Sequence, residues 1–227
     1  MSEARDDDDV DVALMEAWRG GDRAAGAELF ERHYLGIARF FHNKVSDAAQ
    51  DDLVHETFEA FLAGATRFRG QAKVKTFLFG IARNVLADHA RRQFRQKARL
   101  GAETDLDELP AVSFGLSAVA AAVQHQDQRL LLEALRRIPL IHQVALELHY
   151  WEELTAAEIG EVLGIPLGTA KTRLRDGRAY LEAQLRELAR SPEALQSTLD
   201  NLERWARRVR PRTAPATGAG AASADVR

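Results

Sequence analysis

Apolar residues recur at intervals of three and four through most of the chain. Phe30, Tyr34, Ile37, Phe41 and Val45 form one stripe, Val54, Phe58 and Phe61 a second, and Phe77 or Leu78, Ile81, Val85 and His89 a third. This is the spacing of helices that bury one face, and three such helices can close on one another as an antiparallel bundle. Ser46 and Asp47 signal the start of the second helix, and Gly70 separates it from the third. A second helical unit follows from Gln128. Leu131, Leu132, Leu135 and Ile138 make one stripe, Pro139 ends it, and Val144, Leu148 and Trp151 make the next. No alternating strand pattern of useful length appears, so the predicted fold class is all-α, with two small helical domains.

Between the two units the periodicity dissolves into GAETDLDELPAVSFGLSAVAAAVQHQ, interrupted by Gly101, Pro110 and Gly115. This reads as a flexible acidic linker, with room for a short helix over Ser117–Gln126. The expected domains are 12–97 and 128–188, joined by the linker 98–127. A C-terminal extension, 189–227, is expected to be amphipathic and helical over EALQSTLDNLERWARRVR. From Pro211 it is rich in Ala, Gly, Thr, Pro and Ser and is expected to be disordered.

Composition narrows the function. The 227 residues contain no cysteine, which removes disulfides, thiolate metal sites and cysteine nucleophiles together and fits a reducing, cytoplasmic setting. The N-terminal MSEARDDDDVDV is acidic where a secretory signal is basic and then apolar. No run approaches the roughly 20 apolar residues that span a bilayer, so a protein without membrane insertion is expected. The net charge of -3 hides strong segregation. Arg67–Arg99 carries ten Lys or Arg against one acid, Asp88, whereas Met1–Asp11 has six acids against Arg5 and Leu100–Leu109 four acids and no base. Single charged helix faces are often mere solvated surface. A ten-to-one block is harder to explain that way, and it suits a polyanion.

The segment GIPLGTAKTRLRDGR, residues 164–178, gives the basic residues a setting. Thr155 with Glu158 three residues later is a capping-box start for a helix over Ala156–Leu163. Gly164 ends that helix and Pro166 pre-sets φ for the next. A turn of three to four residues is what a helix-turn-helix requires. Gly160 leaves a bare surface for the second helix, whose inward face is Ala170 and Leu174. Lys171, Thr172, Arg173 and Arg175 are then left pointing outward, in the part of this motif that enters the major groove. Arg and Lys there reach guanine edges or phosphates. An αα-hairpin with a solvated cationic face is the competing reading. The concurrence of cap, small residue, turn and basic face weighs against it.

In TRFRGQAKVKTFLFGIARNVLADHARRQFRQKAR, bases alternate with Phe68, Phe77, Phe79 and Phe94. Bases neutralise phosphates, and exposed rings stack on unpaired nucleobases for about 1–3 kcal/mol each. Phe77 lies on the buried stripe and is assigned mainly to packing. Phe68, in a glycine-containing loop between Arg67 and Arg69, is the better candidate for meeting bases. A basic helix with a hydrophobic side is the plainer alternative.

DDLVHETFEAFL followed by FRGQAKVKTFLFGIARNVLADHARR closely resembles region 2 of extracytoplasmic-function (ECF) sigma factors of the sigma-70 family. LLEALRRIPLIHQVALELHYWEELTAAEIGEVLGIPLGTAKTRLRDGRAYLEAQL resembles their region 4. The resemblance covers roughly Leu29–Arg99 and Gln128–Leu185. It implies a subunit that binds core RNA polymerase, recognises minus-thirty-five and minus-ten promoter elements and promotes strand opening. Asp51, Asp52, Val54, His55, Glu56 and Glu59 would meet the clamp helices of the largest polymerase subunit. Arg67, Phe68, Arg69, Lys73, Lys75, Arg83, Asn84, His89, Arg91 and Arg92 would serve the minus-ten element and melting, with Asn84 helping to accept a flipped base. Thr169, Lys171, Thr172, Arg173, Arg175 and Arg178 would bind the minus-thirty-five duplex. Promoter DNA, core polymerase and an anti-sigma factor are the implied partners, with no cofactor or metal.

The chain departs from the pattern at three places. Phe77 stands where many members have Trp, Asp176 sits inside the basic recognition segment, and the residues beyond Leu188, with Trp205 and Arg204, Arg207, Arg208, Arg210 and Arg212, lie outside the family core. Two rivals remain: a helix-turn-helix regulator acting without core polymerase, usually a dimer on a palindrome, and a helical protein-interaction scaffold. An enzyme is disfavoured, because His55-Glu56 lacks the second His of a zinc-binding HExxH and no phosphate-cradling glycine loop occurs. The seven histidines are expected in the core or on the surface.

Overall fold

A computed structural model describes residues 3–65, 68, 70, 72–97 and 126–188. All regular elements among them are helices: α1 (Glu3–Arg19), α2 (Arg23–His42), α3 (Asp47–Gly64), α4 (Val74–Lys97), α5 (Gln126–Arg137), α6 (Leu140–Tyr150), α7 (Ala156–Leu163) and α8 (Leu167–Leu188). Helices α1–α4 form the first unit and α5–α8 the second. The expected linker, apart from the start of α5, and the C-terminal extension lie outside the described residues, as do Arg67 and Arg69.

The first unit closes on Leu29, Ile37, Phe40 and Phe41 of α2, Leu53, Val54, Phe58 and Phe61 of α3, and Val74, Leu78, Phe79, Ala82 and Val85 of α4. The α2 stripe is displaced from the expected one. Its first two members, Phe30 and Tyr34, are exposed and lie side by side, with Phe30 resting on Phe58 at 4.4 Å between ring centroids. Leu29 and Phe40 take the inward positions instead. The acidic N-terminus also forms a helix that pattern reading did not identify. Met15 of α1 is buried and Trp18 stacks on Phe61 at 5.7 Å, so α1 buries apolar surface worth roughly 1.5–3 kcal/mol per large side chain. The Leu14, Met15, Trp18 spacing carried that signal.

Charge then orients α1. Asp11 is buried, accepting from Arg32 Nε at 2.8 Å and lying 2.7 Å from His33 Nε2, while Asp7 accepts from Arg32 at 3.0 Å. Burial pushes the Asp11 carboxyl up, but His33 and Arg32 together outweigh it and hold the group below its ordinary value. Helix α2 starts at Asp22, whose carboxylate accepts from the Ala24 and Ala25 amides. That satisfies two of the orphan donors of the first turn.

In the second unit Leu131, Leu132, Leu135, Ile138, Val144, Leu148 and Trp151 are all buried, as the periodicity predicts, and Leu181 and Leu185 of α8 complete the core. The two units do not stand apart. Their cores merge into one cluster, α4 packs along α7, and α2 meets α6.

His42, near the end of α2, is pushed below its ordinary value of 6.5 by burial, with its Nδ1 3.2 Å from Gln50 Oε1. As pH falls through 6.5, the unfolded chain therefore takes up this proton before the folded one does, and stability falls with it. Urea unfolding between neutral pH and the mid-acid range should show this decline. His42→Gln should flatten it by at most about 1.4 kcal/mol per pH unit, the linkage of one proton. The remaining slope includes His89, which burial and the charge of Arg92 lower in the same direction.

Candidate nucleic-acid and polymerase interfaces

The second unit builds the recognition element from its caps upward. Thr155 Oγ1 accepts from the Glu158 amide at 3.3 Å, and a Glu158 carboxylate oxygen accepts from the Thr155 amide at 2.7 Å, so the capping box is complete. Gly164 ends α7 in the left-handed region at φ 65, a conformation that L side chains resist. The Ile165 amide donates to Gly160 O at 2.8 Å, closing the turn. A Cβ on Gly160 would lie 2.9 Å from Ile165 O and 3.9 Å from Ala170 Cβ. That glycine therefore sets how closely α8 crosses α7. Ala170 and Leu174 are buried, whereas Thr169, Lys171, Thr172, Arg175 and Arg178 are exposed and Arg173 is half-buried. Arg178 lies over the Tyr150 ring at 5.5 Å. Asp176 accepts from Arg175 Nε at 2.9 Å, so the acid within the basic segment restrains a neighbouring guanidinium.

Helix α3 turns the opposite sign outward. Asp51, Asp52, His55 and Glu59 are exposed and Glu56 partly so, with His55 3.1 Å from Glu59 one turn on. Val54, expected both in the buried stripe and among the polymerase-facing residues, takes the buried place. It is 3% exposed and points into the first unit's core, because the α3 stripe that contacts α2 and α4 runs through Leu53, Val54 and Phe58. It supports the acidic face from beneath.

Along α4, Arg91 and Arg92 are exposed, Asn84 is exposed and Arg83 and His89 are half-buried. Arg92 pairs with Glu56 at 3.2 Å and Arg91 with Asp88 at 2.6 Å. The expectation for Phe68 is overturned. Its ring is 7% exposed and packs on Phe77 at 5.3 Å between centroids, while Arg19 donates to its carbonyl at 3.3 Å. Apolar burial outweighs any stacking role for a ring in this position. Phe77 is the more exposed of the two. With Thr76, Gly80, Ile81, Arg83 and Asn84 of α4 it lines a cleft of about 380 Å³, whose other wall is the end of α7. Lys73 and Lys75, at the start of α4, are engaged by acids: Lys73 by Asp8 at 2.5 Å and Glu158 at 2.9 Å, Lys75 by the Glu152 carbonyl at 2.7 Å and carboxylate at 3.2 Å. Sequence spacing did not reveal these partners, which come from α1, α7 and the turn before it.

A helix-turn-helix with an exposed basic recognition face, joined to a bundle with one acidic and one basic face, defines a helical DNA-binding protein of two units. Residues 29–96 match the family model for Sigma-70 region 2, and residues 128–181 that for Sigma-70, region 4. The chain is 27% identical over 173 residues to the ECF RNA polymerase sigma factor SigW of Bacillus subtilis, covering 74% of this chain and 92% of that protein. To the ECF RNA polymerase sigma-E factor of Escherichia coli K12 it is 24% identical over 189 residues, covering 80% and 97%. Two solved structures share the fold. One is CnrH in complex with the cytosolic domain of CnrY, with a TM-score of 0.52, 18% identity and coverage of 79% of this chain and 99% of that one. The other is the sigma factor RpoE in complex with the anti-sigma factor NepR from Bartonella quintana, with a TM-score of 0.53, 20% identity and coverage of 73% and 97%. The chain belongs to the sigma-70 family, as an RNA polymerase sigma factor of the ECF type. Among its described residues no helix is long and apolar enough to cross a membrane.

The Gly160 contact gives a direct test of the recognition element. Gly160→Ala should force α7 and α8 apart and destabilise the second unit by about 1–3 kcal/mol, as overpacking does. Urea denaturation should register the loss, and duplex DNA binding should weaken with it.

Proposed function

We propose that this chain acts as a promoter-specificity subunit without catalytic chemistry of its own, working in the cytoplasm, with the labour divided between its units. The first, residues 12–97, binds core polymerase and the minus-ten strand. The second, 128–188, binds the minus-thirty-five duplex, and the linker 98–127 lets the two span the promoter. The observation that carries this reading is the pairing of opposite surfaces in one chain: a basic helix-turn-helix face on α8 and an acidic α3 face backed by basic α4.

Asp51, Asp52, His55, Glu56 and Glu59 form the polymerase-binding face, with Val54 holding its shape. Thr169, Lys171, Thr172, Arg173, Arg175 and Arg178 take the duplex, the lysine and arginines reaching phosphates or guanine edges. On the first unit, Arg67, Arg69, Lys73, Lys75, Arg91 and Arg92 neutralise the backbone of the separated strand. Asn84, exposed beside the cleft, reads a base edge, with Arg83 and His89 flanking it. Phe68 serves by packing Phe77 in place. An anti-sigma factor is the expected regulator, since both structural relatives are solved in complexes, one of them with a protein named as an anti-sigma factor.

Added to purified core polymerase, the protein should support run-off transcription from members of a genomic promoter library. Failure across the library would overturn the reading. Lys171→Ala should weaken duplex binding about equally for all sequences and lower the salt slope by about one, as losing one phosphate contact does. Asn84→Ala should reduce discrimination at one minus-ten position by roughly 1–3 kcal/mol, the worth of a base-edge contact. Competition binding of base-substituted strands to the holoenzyme measures it.

A further inference from the structure

The first turn of α8 holds two residues that the packing of the chain does not account for. Ala170, Leu174, Gly177, Leu181 and Leu185 form the buried stripe of this helix. Leu167, three residues before Ala170, extends that stripe by its spacing, yet it is 46% exposed. Among the described residues of the second unit, Tyr180 is the other large apolar side chain left exposed, and it lies three turns further along the helix. Leu167 is also held firmly. Gly164 turns the chain in the left-handed region, the Ile165 amide donates to Gly160 O at 2.8 Å, and the Ala170 amide donates to Pro166 O at 3.0 Å. A single exposed leucine needs no explanation. Its neighbour supplies the second observation.

Three glycines of the second unit have an internal cause. Gly164 takes a positive φ, Gly160 leaves room for Ile165 O, and a Cβ on Gly177 would lie 3.2 Å from Leu146 Cγ and 3.3 Å from His142 Cβ. Gly168 has no such cause. Its φ is not positive, and a Cβ there would meet nothing within 4 Å. Glycine weakens a helix through chain entropy, and no contact inside the molecule offsets that loss here. Gly168 is exposed at the head of the outward face, with Lys171, Thr172 and Arg175 following at helical spacing. Bare backbone in that place suits the close approach of a ligand.

We infer that Leu167 and Gly168 form an apolar reading element: Leu167 packs on the 5-methyl group of a thymine in the major groove, and Gly168 lets α8 lie close enough to the bases for that contact. The inference rests on the functional reading above and divides the labour of the recognition helix further. Lys171, Arg173, Arg175 and Arg178 supply charge to phosphates or guanine edges, and such contacts carry no information about a methyl group. The thymine methyl is the apolar group that an A·T pair presents in the major groove, so an exposed leucine is matched to it. Because the turn and the first hydrogen bonds of α8 fix the backbone of Leu167, little freedom of the chain is lost when the contact forms.

The test uses the holoenzyme, the full chain with core polymerase, on a duplex promoter fragment that supports run-off transcription. Each thymine of the minus-thirty-five element, on either strand, is replaced singly by deoxyuridine. That change removes the methyl group and keeps every hydrogen-bonding group. At one position or more, competition binding should weaken about fourfold, the worth of one buried methyl group. Leu167→Ala should bind the thymine and deoxyuridine fragments within about 1.5-fold of each other, whereas Lys171→Ala should weaken both and keep the fourfold ratio. Gly168→Ala should raise the midpoint of urea unfolding, since alanine is the better helix former and meets no neighbour, and yet weaken promoter binding about tenfold. Leu167→Ala should unfold at the parent's midpoint, so its loss of discrimination is not a loss of fold. A thymine preference that persists in Leu167→Ala, a parent indifferent to deoxyuridine at every position, or Gly168→Ala binding as tightly as the parent would each overturn the inference. Run-off transcription in the face of any of these results leaves the functional reading standing. If no promoter supports run-off, that reading has failed and this inference fails with it.

Discussion

The buried pair of Lys44 and Glu147 is the contact that decides how this molecule is assembled. Each group sits where water does not reach, and burial alone pushes the lysine down and the glutamate up from their ordinary values. An isolated charge in such a place costs several kcal/mol. The charges are tolerated because α2 brings one sign and α6 the other, with Phe40 O and Gln143 completing the shell. The pair joins α2 of the first unit to α6 of the second.

Around that pair the charges of the chain follow one plan. The acids of α1 settle on Arg32, His33 and Lys73, and those near the start of α7 settle on Lys73, Lys75 and Arg39. Glu158 illustrates the economy. It completes the cap of α7 and at the same time accepts from Lys73, and although burial raises its carboxyl, Thr155 and Lys73 together hold it below its ordinary value. One residue thus ties the start of α7 in the second unit to Lys73 of the first. On the far side of α3, Asp51 and Asp52 are exposed, and Glu59 is exposed beside His55 one turn away.

Legibility from sequence followed the range of the interactions. The capping box at Thr155, the left-handed Gly164 and the inward Ala170 and Leu174 depend on neighbours within a few residues, and all stand where the spacing predicts. Phe68 is covered where exposure was expected, while Phe77 packs against the core as expected but is only half-buried, because which of two neighbouring rings is covered depends on where the other helices pass. Val54 lies inward, where its place in the apolar stripe with Phe58 and Phe61 puts it. Helix α1 escaped notice because its run of aspartates masks a short apolar spacing whose partners, Phe61 and the core around Met15, lie far along the chain.

Sequence alone determined the helical class, the two units, the helix-turn-helix and the segregation of charge, since periodicity, capping and local composition act over one or two helical turns. Tertiary structure decided which cations are already spoken for, which aromatic rings are covered, and that the two units share one core. Those outcomes depend on desolvation and on charges brought together from residues 113 and 103 positions apart, Arg39 with Glu152 and Lys44 with Glu147. No spacing along the chain encodes such a meeting, because it exists only once the helices have packed.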